Sequence, residues 1–335
     1  MKGQRSYPVC KSMPQLCAML GISPAAVLRR VGMGPDFLET GRSVTAREFY
    51  AMWDAVYDEV QDEGLPLSLG KELANGPFVP AILAFSSSPN IEVGLSRLAL
   101  FKPLIAPILL QIERVGANLQ ITISSNSADA PMPKRMSRFE LVYFTECARR
   151  FTGYPIVPLA IGMPDYGSKT DELDAFFGVK SHKAEHARIV LSAEDAERPL
   201  VPSAGTMWAG TEIDMGWFSP LREGEESIVV RVSAALGDLL PSGAASADAV
   251  CKRLGMSKRS LQRRLQEKGR SFQDLLDETR TKLSMRYLKE TDLSIEEISF
   301  LLAFRDPNSF YRAFNGWTGM TPTQARNGDQ VRQLT

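Results

Sequence analysis

Residues Ser257–Gln266 read Ser-Lys-Arg-Ser-Leu-Gln-Arg-Arg-Leu-Gln. Ser257 predicts a helix start, because its hydroxyl can accept a hydrogen bond from an orphan amide of the first turn. At about 100° per residue, Leu261 and Leu265 fall on one side of that helix, and Arg259, Gln262, Arg263 and Gln266 on the other. One side buries two leucines; the other presents two guanidinium groups and two amides. Such groups can read guanine and adenine edges in a major groove. The surrounding Lys252–Arg270 holds eight Lys/Arg against one acid, Glu267. A solvated basic helix on an ordinary domain would look the same in isolation, so the neighbouring sequence has to decide.

The same design recurs 49 residues downstream, in Ala303–Asn315. Ser257 corresponds to Asp306 as a cap; Leu261 and Leu265 correspond to Phe310 and Phe314 as inward residues. Arg259, Gln262 and Arg263 correspond to Asn308, Tyr311 and Arg312 as outward ones. An amphipathic stretch precedes each copy, Ala247–Leu254 and Ser294–Leu302, and Ser294 with Glu297 forms a capping box. Two helix-turn-helix units are therefore expected, about 246–268 and 294–316, joined by a helix of about 272–290. Leu275, Leu276, Leu283 and Tyr287 are among its apolar positions. About 18 residues at 1.5 Å give roughly 27 Å, near the ~34 Å turn of DNA once the reading helices are added.

With 335 residues, two domains are the natural expectation. A hydrophobic fraction of 44% supports ordinary cores and excludes a disordered chain. The longest apolar runs fall well short of a membrane span, and Met-Lys-Gly-Gln-Arg leads into no secretory h-region. Cys10, Cys17, Cys147 and Cys251 have no CxxC spacing and read as free thiols of a cytoplasmic protein. Net charge is zero, but Ser246–Thr335 carries 16 basic and 11 acidic residues, leaving 23 and 28 for the rest. A basic C-terminal quarter on a near-neutral chain fits a nucleic-acid-binding module joined to a regulatory domain.

The first 220 residues read as mixed α/β or α+β, without a repeated βαβ rhythm. Thr45 and Glu48 form a capping box before a helix with Phe49, Met52, Trp53, Val56 and Val60 inward. Helices are also expected at Leu67–Leu73, Pro80–Ser86, from Asn90 and over Phe139–Tyr154. In the one from Asn90, Ile91, Val93, Leu95, Leu98, Leu100 and Phe101 are expected to face a core. Leu109–Val115 and Asn118–Ile123 predict a hairpin through Gly116-Ala117. Further strands are expected at Ile156–Met163, Phe176–Val179 and Ala187–Leu191, and an extended edge at Arg198–Pro202. Thr211–Glu225 is the expected crossing into the helical region, which starts with a helix over Ser227–Leu240.

At this point the C-terminal hundred residues resemble the DNA-binding domain of AraC/XylS-family transcription regulators. The carriers are Leu254–Leu265, Ile295–Phe304 and, most specifically, Asp306-Pro-Asn-Ser-Phe-Tyr-Arg-Ala-Phe-Asn-Gly-Trp-Thr-Gly-Met-Thr-Pro322. The chain departs from the family pattern at Ala303, where glycine is usual, at Arg305, and at Asn315-Gly316, where basic residues are usual. The resemblance implies that Arg259, Gln262 and Arg263 reach bases from the first reading helix and Asn308, Tyr311 and Arg312 from the second. It also implies phosphate contacts at Lys258, Ser309 and Thr321, a core role for Trp317, promoter DNA as ligand and RNA polymerase as partner. The first reading helix, being the more basic, is expected to dominate affinity.

Residues 1 to about 220 resemble the arabinose-binding/dimerisation-like domain of one branch of this family. Gly70-Lys-Glu-Leu near Gly76-Pro-Phe, Leu95–Pro103 and Arg198–Ser203 carry that likeness. It implies a homodimer, a small-molecule effector, or both; the alternative is a domain serving protein contacts alone. The fold expected overall is a mixed N-terminal domain over 1–220, then an all-α DNA-binding domain over 225–328.

Other chemistry finds little support. His182 and His186, with Glu185 between, have the spacing of a metal pair but no evident third ligand, so a solvated surface is the simpler reading. Lys134-Arg135 with Arg138, and Arg149-Arg150, form basic edges that are either solvated or anion-binding. No Gly-rich phosphate loop or GxSxG occurs. Some methyl-transferring repair proteins share this DNA-binding domain, but they need a Cys after Pro and before His. Val9, Leu16, Glu146 and Val250 precede the cysteines here, and no Cys-His pair exists. No cofactor, metal or catalytic residue is expected.

Overall fold

The computed structural model describes residues 6–10, 12–75, 80–165, 170–201, 228–291 and 293–328. The chain forms two units: Met1–Pro77 with Asn90–Val201, and Phe78–Pro89 with Pro202–Thr335. The crossing expected at Thr211–Glu225 lies outside the described residues, as does Ser227.

The first unit begins with α1 (Ser12–Met19), α2 (Pro24–Arg30), a 3-10 turn (Pro35–Glu39), α3 (Ala46–Val60) and α4 (Leu65–Asn75). The segment α5 (Pro80–Ser86) belongs to the second unit. The first unit resumes with α6 (Ile91–Ile105), β1 (Ile108–Val115), β2 (Asn118–Ser125), α7 (Lys134–Thr152), β3 (Ala160–Met163), α8 (Asp171–Phe177), β4 (His182–Lys183), β5 (Ala187–Leu191) and α9 (Ala193–Glu197).

Caps explain several of these starts. The Thr45 hydroxyl accepts from the Glu48 amide at 3.3 Å, and the Glu48 carboxylate accepts from the Thr45 amide at 2.7 Å. The carboxylate also accepts from the Thr45 hydroxyl at 2.9 Å, and the two bonds it accepts hold Glu48 below the usual carboxylate range. Asn90 Oδ1 accepts from the Val93 amide at 2.9 Å and starts α6.

The sheet runs in the order β1-β2-β5-β3-β4. All pairs are antiparallel except β3 with β4, which α8 joins as a parallel pair. One face is apolar: Ile108, Leu110, Leu119, Ile121, Ile123, Ile161, Met163, Ala187, Ile189 and Leu191 are all buried. The long helix α7 packs on β2 and β5 and against α4.

The α4–α7 crossing is tight. A Cβ on Gly70 would lie 2.7 Å from Val142 Cγ1 and 3.2 Å from the Phe139 carbonyl oxygen. Gly70→Ala is therefore expected to destabilise the protein by about 1–3 kcal/mol through overpacking, measured by chemical denaturation. Unchanged stability would mean that the helices separate freely.

Three expectations need correction. Val93 and Leu100 are 37% and 66% exposed, because Ile91, Leu95, Leu98 and Phe101 already define the inward stripe of α6. In Ile156–Met163 only 160–163 pairs as strand; Val157 and Leu159 are exposed. Phe176-Phe177 ends a helix instead of forming a strand. Asp171, Glu172 and Asp174 favour the positive helix start, and Gly178 at φ +78 supplies the left-handed cap that ends it.

The second unit continues with α10 (Ile228–Leu239), α11 (Ala247–Leu254), α12 (Lys258–Gln266), α13 (Phe272–Glu290), α14 (Ile295–Leu301), α15 (Pro307–Thr318) and α16 (Pro322–Asn327). Val232, Leu236, Val250, Leu261, Leu265, Leu275 and Leu276 share one core. Helix α13, 19 residues and so about 28 Å long, packs on α10 and also on α14, α15 and α16. Helix α5 packs on α14.

Candidate nucleic-acid interface

Helices α12 and α15 each start from a side-chain cap. The Ser257 hydroxyl accepts from the Ser260 amide at 3.2 Å. Asp306 Oδ1 accepts from the Ser309 amide at 2.8 Å, and Oδ2 accepts from the Ser309 hydroxyl at 2.7 Å. These bonds hold the Asp306 carboxyl below its usual range. The preceding helices are capped alike: Ser246 accepts from the Ala249 amide, and Ser294 forms its box with Glu297.

The inward residues are buried, with Leu261 at 3%, Leu265 at 1%, and Phe310 and Phe314 at 0%. Arg259, Gln262, Arg263 and Gln266 are exposed along α12, as are Asn308 and Arg312 along α15, with Tyr311 half-buried. Trp317 packs against Phe304, ring centroids 6.0 Å apart. The units are not identical. Ten residues lie between the caps Ser246 and Ser257, and eleven between Ser294 and Asp306. Gly255 takes the left-handed conformation in the first turn (φ +64), and Ala303 takes it in the second (φ +59).

Several outward groups have partners that the sequence alone did not reveal. Lys258 Nζ lies 2.8 Å from Asp248 Oδ1, which raises the lysine's pKa. Arg263 Nε is 3.7 Å from Glu267 in an exposed pair, worth little in water. The Tyr311 hydroxyl is 3.2 Å from Thr323 Oγ1. Arg312 Nη2 donates to the Ser309 hydroxyl at 3.4 Å, so Ser309 bridges cap and arginine. Thr321 caps α16, donating to Gln324 Oε1 at 2.9 Å and accepting from the Gln324 amide. The i, i+3 spacing of Asp306 and Ser309 was a readable signal; Asp248–Lys258 and Tyr311–Thr323 join different helices.

The family described as the arabinose-binding N-terminal domain of AraC transcription regulators matches residues 21–200. A helix-turn-helix domain family matches residues 250–328. The chain belongs to the AraC family of transcription regulators. The first match describes a transcription regulator and the second a helix-turn-helix domain. This AraC-family chain is 43% identical over 75 residues to the ornithine utilization regulator of Pseudomonas aeruginosa, 22% of each chain. It is 39% identical over 88 residues to the transcriptional regulator VirS of Mycobacterium tuberculosis, 26% of each. The matched part thus spans about a quarter of those curated relatives. The crystal structure of the transcriptional regulator CdpR from Pseudomonas aeruginosa aligns with 95% of this chain and 97% of its own, at 17% identity and a TM-score of 0.39.

In the N-terminal unit of this AraC-family chain, the arginines of the basic edges are engaged within the fold, while Lys134 is exposed. Arg149 donates to the carbonyls of Ile156 and Phe176, both at 2.9 Å, and Arg150 to that of Ala74. Arg135 pairs with Asp58 at 2.8 Å, and Arg138 with Asp165 at 2.9 Å. His182 lies in β4 and His186 beside Glu185, both exposed. Among the described residues, no three His, Cys, Asp or Glu gather as a metal site, and no helix is long and apolar enough to cross a membrane. An open cavity of about 260 Å³ lies among Ala46, Arg47, Ser127, Asp129 and Ala130, below the ~300–1,000 Å³ usual for small-molecule sites.

Proposed function

We propose that this chain is a sequence-specific, double-stranded-DNA-binding transcription regulator working in the cytoplasm. The observation that carries the reading is the pair of capped helices, α12 and α15, with matching buried and outward faces 49 residues apart. Arg259, Gln262 and Arg263 read bases from α12, and Asn308, Tyr311 and Arg312 from α15. Lys258, Ser309 and Thr321 are the phosphate contacts. Lys258 meets phosphate by leaving Asp248, and Ser309 by turning its single hydroxyl proton from Asp306 to the phosphate. The N-terminal unit controls this activity through a small molecule or through self-association as a homodimer, and the regulator activates by touching RNA polymerase. An effector acts only by preferring one state of the protein over another.

Arg263→Ala is expected to weaken binding to a DNA fragment selected by the wild-type protein by about 1–3 kcal/mol. Fluorescence anisotropy measures it. Wild-type affinity in the variant would remove Arg263 from the reading face. Effector control is tested by thermal-shift screening of the full chain: a metabolite that binds the folded state raises Tm with concentration. If none does, control by self-association or protein contacts is favoured.

A further inference from the structure

The turn of the second helix-turn-helix unit is held from outside that unit. Ala303 sits at φ +59, in the left-handed region where a Cβ is disfavoured and glycine is not. Gly255 meets the same demand in the first unit at φ +64, and a Cβ there would touch nothing within 4 Å, so the backbone angle explains its glycine. The second turn lacks that freedom and has a clamp instead.

Arg280, on the linker helix α13, supplies it. Its Nε donates to the Leu302 carbonyl at 3.0 Å and its Nη2 to the Ala303 carbonyl at 3.4 Å. Its guanidinium lies 4.5 Å from the Phe304 ring centroid. Carbonyls just past the end of α14 lack helical partners and carry the negative end of the helix dipole, so a cation fits there. The Phe304 ring lies 5.5 Å from Phe310 and 6.0 Å from Trp317, both on α15. A continuous set of contacts thus runs from α13 through the turn into the second reading helix.

We propose that Arg280 is the positioning residue of that reading helix: it holds the left-handed Ala303 turn and so fixes the direction in which Asn308, Tyr311 and Arg312 are presented. The proposal rests on α15 being a DNA-reading helix. Arginine is required because one side chain must reach two carbonyls and cover a ring with its planar fork, which lysine cannot do.

The test uses the full-length chain as wild type, Arg280→Met, Arg280→Lys, Ala303→Gly and the Arg280→Met/Ala303→Gly double variant. The probe is a DNA fragment selected by the wild type from a random pool, beside a copy with the α15-dependent protected segment scrambled. Hydroxyl-radical footprints and affinities are read, with Tm as a folding control. Arg280→Met and Arg280→Lys are expected to lose one protected segment, and to bind the intact fragment about tenfold more weakly, as if a base contact were lost. Their affinity for the scrambled copy should stay at the wild-type value. Adding Ala303→Gly to Arg280→Met should recover several-fold, since glycine keeps the turn without the clamp. Equal losses on both fragments, or an unchanged footprint in Arg280→Lys, would overturn the proposal. A wild type that selects no fragment would instead overturn the DNA-reading function itself, and the proposal with it.

Discussion

Glu140→Ala is expected to destabilise the N-terminal unit by about 3–5 kcal/mol, because it strands a buried charge. The Glu140 side chain is 1% exposed and that of Lys102 is 11% exposed. Lys102 Nζ donates to both carboxylate oxygens, at 2.7 and 2.9 Å. The ammonium also lies 5.4 Å from the Tyr143 ring centroid and 5.3 Å from that of Phe144. Aromatic faces attract a cation but do not replace a carboxylate that accepts its protons. Losing Glu140 therefore leaves Lys102 with a desolvated charge. Replacing both groups by apolar residues of similar size, as in Lys102→Met/Glu140→Leu, is expected to be near neutral or stabilising by up to about 4 kcal/mol. Urea unfolding of the three proteins checks this. A single variant within experimental error of wild type would mean that the site admits water and the pair contributes little.

Phe310→Ala should be comparably severe in the second helix-turn-helix unit, at about 3–5 kcal/mol for a buried phenylalanine. Phe310 is fully buried, with the Phe304 ring 5.5 Å away and the Phe314 ring 5.6 Å away. It is also one of the two buried residues of α15, so the cavity lies directly beneath the outward groups of that helix. Hydrogen exchange is the direct measurement. Amides of α14 to α16 should lose protection, while those of α3 and α7 keep theirs. Full protection of α15 in the variant would show that Phe304 and Phe314 close the cavity unaided.

The helical unit was legible because its information is local. A serine or aspartate cap, the acid or amide three residues on, and apolar residues at i and i+4 all lie within one or two turns. Each is a short-range consequence of backbone hydrogen bonding. The misreadings in the N-terminal unit came from runs whose fate depends on a partner. Ile156–Met163 is apolar enough for a strand, but pairing with β5 begins only at Ala160. Phe176-Phe177-Gly178-Val179 has strand-like residues, yet the acids before it and the glycine within it specify a helix end. Those signals were present and were outweighed by the aromatics. At the interface, the outward residues could be chosen from helical phase. Which of them already have partners could not. Lys258 meets Asp248 from another helix, Tyr311 meets Thr323, and Arg280 reaches a turn 22 residues away in sequence. Such encounters belong to packing, not to periodicity.

The caps at Ser257 and Asp306 also bear on how these units can change in evolution. Because α12 and α15 each restart at their own cap, helical phase is counted from that residue and not from the helix before it. A residue inserted in the connecting turn, like the extra one between Ser294 and Asp306, leaves every side chain of α15 on its original face. One inserted two residues after the cap would rotate all that follows by about 100°, moving Arg312 off the outer surface and Phe314 out of the core. Insertions and deletions should therefore be absorbed between the helices and rejected within them, so lineages can alter the spacing of the outward faces without rewriting their chemistry.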